Sequence, residues 1–87
     1  MMNTDLASQP TEGIHIGHLI QNVLTDQRYS ATWLAKQLYC DRTNVYKIFH
    51  KASIDCELLL KISIVLNYDF FKIYSKLVAN SHSGNEQ

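Results

Sequence analysis

The chain has one proline, three glycines and two cysteines in 87 residues. Each shortage excludes a class of protein. So little proline and glycine leaves no material for the many tight turns of a β-sandwich or barrel. Two cysteines, Cys40 and Cys56, separated by many residues and outside any Cys-x-x-Cys unit, do not make a disulfide framework or a zinc site. No apolar run approaches the ~20 residues that a membrane helix needs, and the first ten residues lack the basic start and apolar stretch of a secretory leader. The expected location is the reducing cytoplasm, with no membrane contact. At this length a roomy catalytic cleft is hard to build, so no enzyme activity, catalytic residue or cofactor is expected.

What remains is a globular balance, with 46% hydrophobic and 18% charged residues. The formal net charge of zero conceals an uneven distribution. Residues 1–27 hold Asp5, Glu12 and Asp26 with no lysine or arginine. Residues 28–51 hold Arg28, Lys36, Arg42, Lys47 and Lys51 against Asp41 alone, and the remainder is slightly acidic. A locally basic middle can attract a polyanion when the whole chain does not, although a charged helix face is most often merely solvated.

Residues 1–13 are polar and aperiodic and read as a flexible N-terminal arm; residues 79–87 read as a flexible tail. Between them, residues 14–78 are expected to form one all-α domain of five short helices. The first runs from about His15 to Arg28, with Ile16, Leu19, Ile20, Val23 and Leu24 recurring at helical period. Ser30 caps a second helix that turns Leu34, Ala35 and Leu38 inward. Asp41 follows almost at once as the cap of a third, Arg42 to Phe49, with Val45, Ile48 and Phe49 inside. Asp55 caps a fourth that buries Leu58, Leu59, Ile62, Val65 and Leu66 and stops at Asn67 in a left-handed conformation. Asp69 caps a fifth, Phe70 to about Val78, anchored by Phe70, Ile73, Tyr74 and Leu77.

With Val45, Ile48 and Phe49 inside, the 100° step per residue sets Thr43, Lys47 and His50 outward, with Tyr46 and Asn44 on the flanks. Arg42 sits in the first turn. Tyr46 has a second option, to lie against the body through its ring. This face offers guanidinium, ammonium, amide and hydroxyl groups and no carboxylate after Asp41, which suits phosphates and base edges. Trp33 is expected to pack at the surface of the second helix. His15 and His18 share a helix face but lack a third metal ligand. Cys40 and Cys56 are expected to be buried small hydrophobes.

Residues 30–49 (SATWLAKQLYCDRTNVYKIF) resemble the helix-turn-helix of the Xre-type regulators, the Cro and phage-repressor family. Leu34 and Ala35, Leu38 before the turn, the cap Asp41, and Val45 with Ile48 occupy the matching positions. The leucine-rich segment 58–67 (LLLKISIVLN) is similar to the family's fourth helix, so the likeness spans roughly residues 15–78. It departs at Tyr39, where the family usually has the turn glycine, at Phe49, where an acidic residue is common, and in the glycine-free loop 50–54. The resemblance implies a five-helix lambda-repressor-like fold and a DNA-binding transcriptional regulator that needs no cofactor. It implies that Arg42, Thr43, Tyr46 and Lys47 face bases while Asn44 and Lys51 lie nearer phosphates; Lys36 and Ser30 complete the expected DNA-binding set, and Arg28 is a weaker phosphate candidate. The expected partner is double-stranded DNA.

Leu60 and Ile64 fall opposite the buried arc of the fourth helix, beside Phe71 at the start of an apolar fifth helix. Either the fourth and fifth helices bury this surface within the monomer or a twofold contact covers it; the second is favoured, with Leu60, Ile64 and Phe71 as the expected homodimer interface. The rival reading is a protein-interaction module or antitoxin subunit using the exposed apolar face of the fourth and fifth helices.

Overall fold

The structure is a computed structural model that describes residues 13–83, with side chains described through residue 81. Residues 1–12 and 84–87, and with them most of the expected arm and the end of the expected tail, lie outside the described residues. All regular structure among the described residues is helical: α1 (Ile16–Asp26), α2 (Ala31–Gln37), α3 (Arg42–Phe49), α4 (Cys56–Leu66) and α5 (Phe71–Ser83). No helix there is long and apolar enough to cross a membrane. The chain divides into two units between Tyr68 and Asp69, inside the stretch expected to form one domain.

The unit His15–Tyr68 holds α1 to α4. Its core falls within the set that the apolar spacing selects: Ile16, Ile20 and Leu24 from α1, Leu34 and Ala35 from α2, Val45, Ile48 and Phe49 from α3, and Leu59, Ile62 and Leu66 from α4; the expected inward residues Leu19, Val23 and Leu38 are only half-buried. On α4 the buried arc is rotated from expectation. Ser63 replaces Leu58 and Val65, which are only half-buried. The buried positions 59, 62, 63 and 66 follow the i, i+3, i+4, i+7 rule more closely than the larger apolar residues do. Ser63 is thus a polar side chain in an apolar layer, and its Oγ makes no hydrogen bond.

Helix starts follow side-chain chemistry in most cases. The Oγ of Ser30 accepts from the N–H of Trp33 (3.0 Å), and a carboxylate oxygen of Asp55 accepts from the N–H of Leu58 (2.7 Å). Asp41 is a correction. It holds the cap position with extended backbone (φ −83°, ψ 153°), but its side chain makes no capping bond, and only its carbonyl accepts from Asn44 and Val45. At α1 the cap is His15, whose Nδ1 accepts from the N–H of His18 (3.2 Å) while the two rings stack with centroids 3.7 Å apart.

Three helices end the same way, and none of them uses glycine. Arg28 (φ 66°), Tyr39 (φ 57°) and Asn67 (φ 52°) are left-handed. At each end one N–H reaches back three residues and the next reaches back five. The bonds are Arg28 to Thr25 and Tyr29 to Leu24, Tyr39 to Lys36 and Cys40 to Ala35, and Asn67 to Ile64 and Tyr68 to Ser63. These bonds satisfy terminal carbonyls that have no partner inside the helix. Asn67 tolerates this geometry through its short amide side chain, whereas arginine and tyrosine adopt it at a steric cost.

The decisive contact of this unit is made by backbone. The N–H groups of Ile16 and Gly17, unpaired within α1, donate to the carbonyls of Ala52 (3.0 Å) and Lys51 (2.9 Å) just beyond α3. Gly17 makes the approach possible, because a Cβ there would overlap the carbonyl oxygens of Ile48 and Phe49. At the far end of α1, the Gln27 side-chain amide donates to the Leu66 carbonyl (2.8 Å), tying α1 to the end of α4.

In the other unit, Phe70 is fully buried and precedes α5 rather than opening it. Ile73, Tyr74 and Leu77 are half-buried, and Val78 is exposed. The helix continues through Ser83, past Val78 where it was expected to end. The polar residues 79–83 carry no apolar signal, but they contain neither proline nor glycine to stop a helix already under way.

Two stability predictions follow from these backbone features. In an open helix Gly→Ala adds about 1 kcal/mol of stability. At Gly17 the sign reverses: Gly17→Ala destabilises by ~1–3 kcal/mol or more, because the new methyl group meets backbone that has no rotamer to yield. Tyr39→Gly has the opposite outcome. The ring is 95% exposed and contributes no burial, so relief of the left-handed strain leaves a net gain of about 0.5–1 kcal/mol after the added unfolded-state entropy. Urea melts of both variants check the two signs.

Candidate nucleic-acid interface

The α2–α3 pair determines where the candidate site lies. The turn from Leu38 to Asp41 is short because left-handed Tyr39 reverses the chain within one residue. With α2 ended and α3 begun so soon, α3 packs mainly on α2 and α1 through Val45, Ile48 and Phe49. Its remaining residues are exposed: Arg42, Thr43, Asn44, Tyr46, Lys47 and, at its C-terminal cap, His50.

The exposed face has an outward ridge and two flanks. Thr43, Lys47 and His50 form the ridge, as the helical step requires. On one flank Asn44, Lys47 and Lys51 line a shallow hollow of about 280 Å³ together with Leu38, Cys40, Ile48 and Leu58. These three polar side chains are therefore brought together over an apolar floor. On the other flank Tyr46 is 47% exposed and sets its ring edge-on to Phe49 (centroids 5.9 Å, 78°). Tyr46 thus takes a middle course, with part of the ring against the body and the rest in solvent. His50 turns its Nδ1 to the Tyr46 carbonyl (2.8 Å), which ties the ring to the end of the helix.

Lys36 is exposed in the last turn of α2, and Lys51 is exposed just after α3. Ser30 is exposed, and its oxygen is engaged as the α2 cap; its hydroxyl proton remains a donor. Residues 42–54 contain Arg42, Lys47 and Lys51 and no acidic residue. Asp41, uncommitted by any capping bond, is the one carboxylate at the start of this face.

Some residues lie elsewhere than expected. Cys40 is half-buried and Cys56 exposed, both as free thiols, so neither is a buried core residue. Cys56 is the first residue of α4 and sits at the edge of the Leu59–Ile62–Leu66 arc rather than opposite it. Trp33 is half-buried, and Tyr29 lies flat on it (centroids 3.8 Å, interplanar angle 8°). His15 and His18 act as a helix cap and a stacked pair, and no group of three potential metal ligands exists among the described residues. Leu60 (50%) and Ile64 (69%) are exposed on α4, and Phe71, in the other unit, is half-buried. Gly17, at the close approach of α1 to the exit from α3, is the positioning residue that the sequence reading missed. Gly17 had a signal, since a lone glycine inside an apolar helical period commonly marks close packing.

The chain matches no family model, no curated protein and no solved structure.

The division of α3 into an inner and an outer face carries its own test. Val45 is fully buried, so Val45→Ala opens a cavity and costs about 2 kcal/mol. Lys47 is exposed, so Lys47→Ala changes stability by less than ~0.5 kcal/mol. Chemical denaturation of both variants decides the matter; an equal loss would show α3 to be rotated about its axis.

Proposed function

We propose that the protein binds double-stranded DNA in a sequence-specific manner, as a transcriptional regulator, with α3 entering the major groove. The observation that carries this reading is the outer face of α3. Arg42, Thr43, Asn44, Tyr46 and Lys47 are all exposed on one short helix, and three cations occupy a stretch with no acidic residue after Asp41. An α-helix fits the width of the major groove. Arginine and lysine pair with guanine O6 and N7, and a threonine methyl group suits thymine, while Asn44 on the flank can donate to a phosphate oxygen. Lys36, Lys51 and Ser30 flank the helix at positions suited to phosphate oxygens, which would set the register without reading sequence. Under this reading the α2–turn–α3 pair is the helix-turn-helix of the Xre resemblance. The protein would act as a homodimer on two half-sites about 34–36 Å apart.

Selection of bound duplexes from a random pool identifies the site, and the salt dependence of binding tests the mechanism. Arg28, Lys36, Arg42, Lys47 and Lys51 are all exposed. If each neutralised one phosphate, a dimer would make roughly ten contacts, so a fall of log affinity with log salt at a slope of about −9 is the upper bound, and side chains spent on bases lower it. A measured slope between about −3 and −9 supports the reading. A shallower slope on the selected site removes its electrostatic basis. On that site Lys47→Ala or Arg42→Ala should erase about 1–3 kcal/mol of discrimination at a single base pair.

A further inference from the structure

The outer face of α4 is the largest feature that DNA reading leaves without a role. Glu57, Leu60, Lys61 and Ile64 are exposed along it, and Leu60 and Ile64 are 50% and 69% accessible. The 100° step places Glu57 and Ile64 along the centre of this face, Lys61 on one side and Leu60 on the other. Lys61 and Ile64 also border a hollow of about 350 Å³ lined with Gln37, Leu38, Tyr39 and Val65. The apolar pair therefore lies beside a cation and one turn from an anion.

We propose that this face is covered by a second copy of the chain, with the two α4 helices antiparallel and the twofold axis level with Leu59. The charge pattern selects this arrangement. In a parallel pair, residues of equal number meet, so the central Glu57 would lie against the partner's Glu57, a like-charge contact. In an antiparallel pair the side that carries Lys61 stays on the same side in both copies. Centring the axis at Leu59 then sets Glu57 level with the partner's Lys61, and Lys61 level with the partner's Glu57. The two Leu60 side chains face each other on the opposite side, offset by ~3 Å along the axis at 1.5 Å per residue. Ile64 comes toward the loop just before the partner's α4, where Ile54 is half-buried. Moving the axis along α4 to put Leu60 against the partner's Ile64 would bring the two Lys61 side chains together instead. One register satisfies both the apolar and the charged residues. The contact rests on the homodimer reading above but does not require DNA, and a face of about two turns is smaller than a standard interface of ~800 Å² per partner, so the association is concentration-dependent.

Sedimentation equilibrium of the full chain without DNA tests the register. The mass should rise from 10.0 kDa toward twice that value with concentration. Glu57→Lys and Lys61→Glu should each lower the association constant roughly tenfold or more, since each turns two opposite-charge contacts into like-charge ones. The double exchange should restore it to near the wild-type value. Leu60→Asp should abolish association, with helicity by circular dichroism unchanged in all four variants. The intrahelical Glu57–Lys61 pair is altered in the same variants, but it has no effect on mass. A wild-type mass of 10.0 kDa at every soluble concentration would overturn the proposal and assign the face to a different protein; so would a double exchange that fails to restore association. A monomer that still retains duplex DNA removes this interface and leaves the DNA reading intact, and a dimer that ignores duplex does the reverse.

Discussion

Everything that positions α3 depends on the backbone contact between the start of α1 and the exit from α3. A helix start presents N–H groups without intrahelical acceptors, and a helix end presents carbonyls without donors. Here the two ends meet, through Ile16 and Gly17 on one side and Ala52 and Lys51 on the other. The positive end of one macrodipole thereby faces the negative end of the other. No side chain is consumed in the contact, and its single steric demand is that residue 17 lack a Cβ. With its C-terminal exit held by backbone and its N-terminus held by the turn at Tyr39, α3 needs only Val45, Ile48 and Phe49 for packing. Apart from the Tyr46 ring, which rests edge-on against Phe49, its other side chains are exposed to solvent.

The scarcity of glycine shapes the same unit in a second way. Gly17 is used for close approach, and the three left-handed helix ends fall to Arg28, Tyr39 and Asn67. Each keeps its geometry because two backbone hydrogen bonds enforce it. Tyr39 is the costly case, since its ring is 95% exposed and recovers nothing by burial. Strained residues concentrate where a protein meets other molecules, and Tyr39 borders the hollow that also contains Lys61 and Ile64.

The parts of this fold that depend on side-chain hydrophobicity were readable from the sequence. The apolar period located all five helices, and the buried residues of α1, α2 and α3 other than Gly17 belong to the predicted set, of which Leu19, Val23 and Leu38 are only half-buried. The outer face of α3 followed from its inner face by geometry alone, and Leu60 and Ile64 were found by the same subtraction. Backbone events were not readable in this way. The bonds from α1 to residues 51 and 52 leave no compositional trace beyond one glycine, and Arg28 in a left-handed turn contradicts its own preference. Asp41 shows the limit of residue-type rules: it has the right identity and backbone for a cap, yet its carboxylate makes no bond to the helix. Ser63 shows another, because position on the arc overrode polarity and buried a hydroxyl.

Under the proposed function, the charge distribution determines how the protein would meet DNA. The chain has no net charge, so its long-range attraction for a polyanion is weak. At physiological salt the screening length is about 8 Å, which is shorter than the body of the domain. A duplex therefore senses the nearest face and not the sum. Residues 28–51 carry the excess of cations, so approach by the α2–α3 side is attractive. Such a molecule gains little from non-specific sliding and depends on correct docking of one helix. Its affinity would come from the few side chains on α3 and its flanks, and its discrimination from the same few. The free carboxylate of Asp41 adds to this selectivity: placed at the start of α3, it opposes any phosphate that approaches the helix end-on, and is tolerated only when that end lies away from the backbone or beside an amino donor such as cytosine N4.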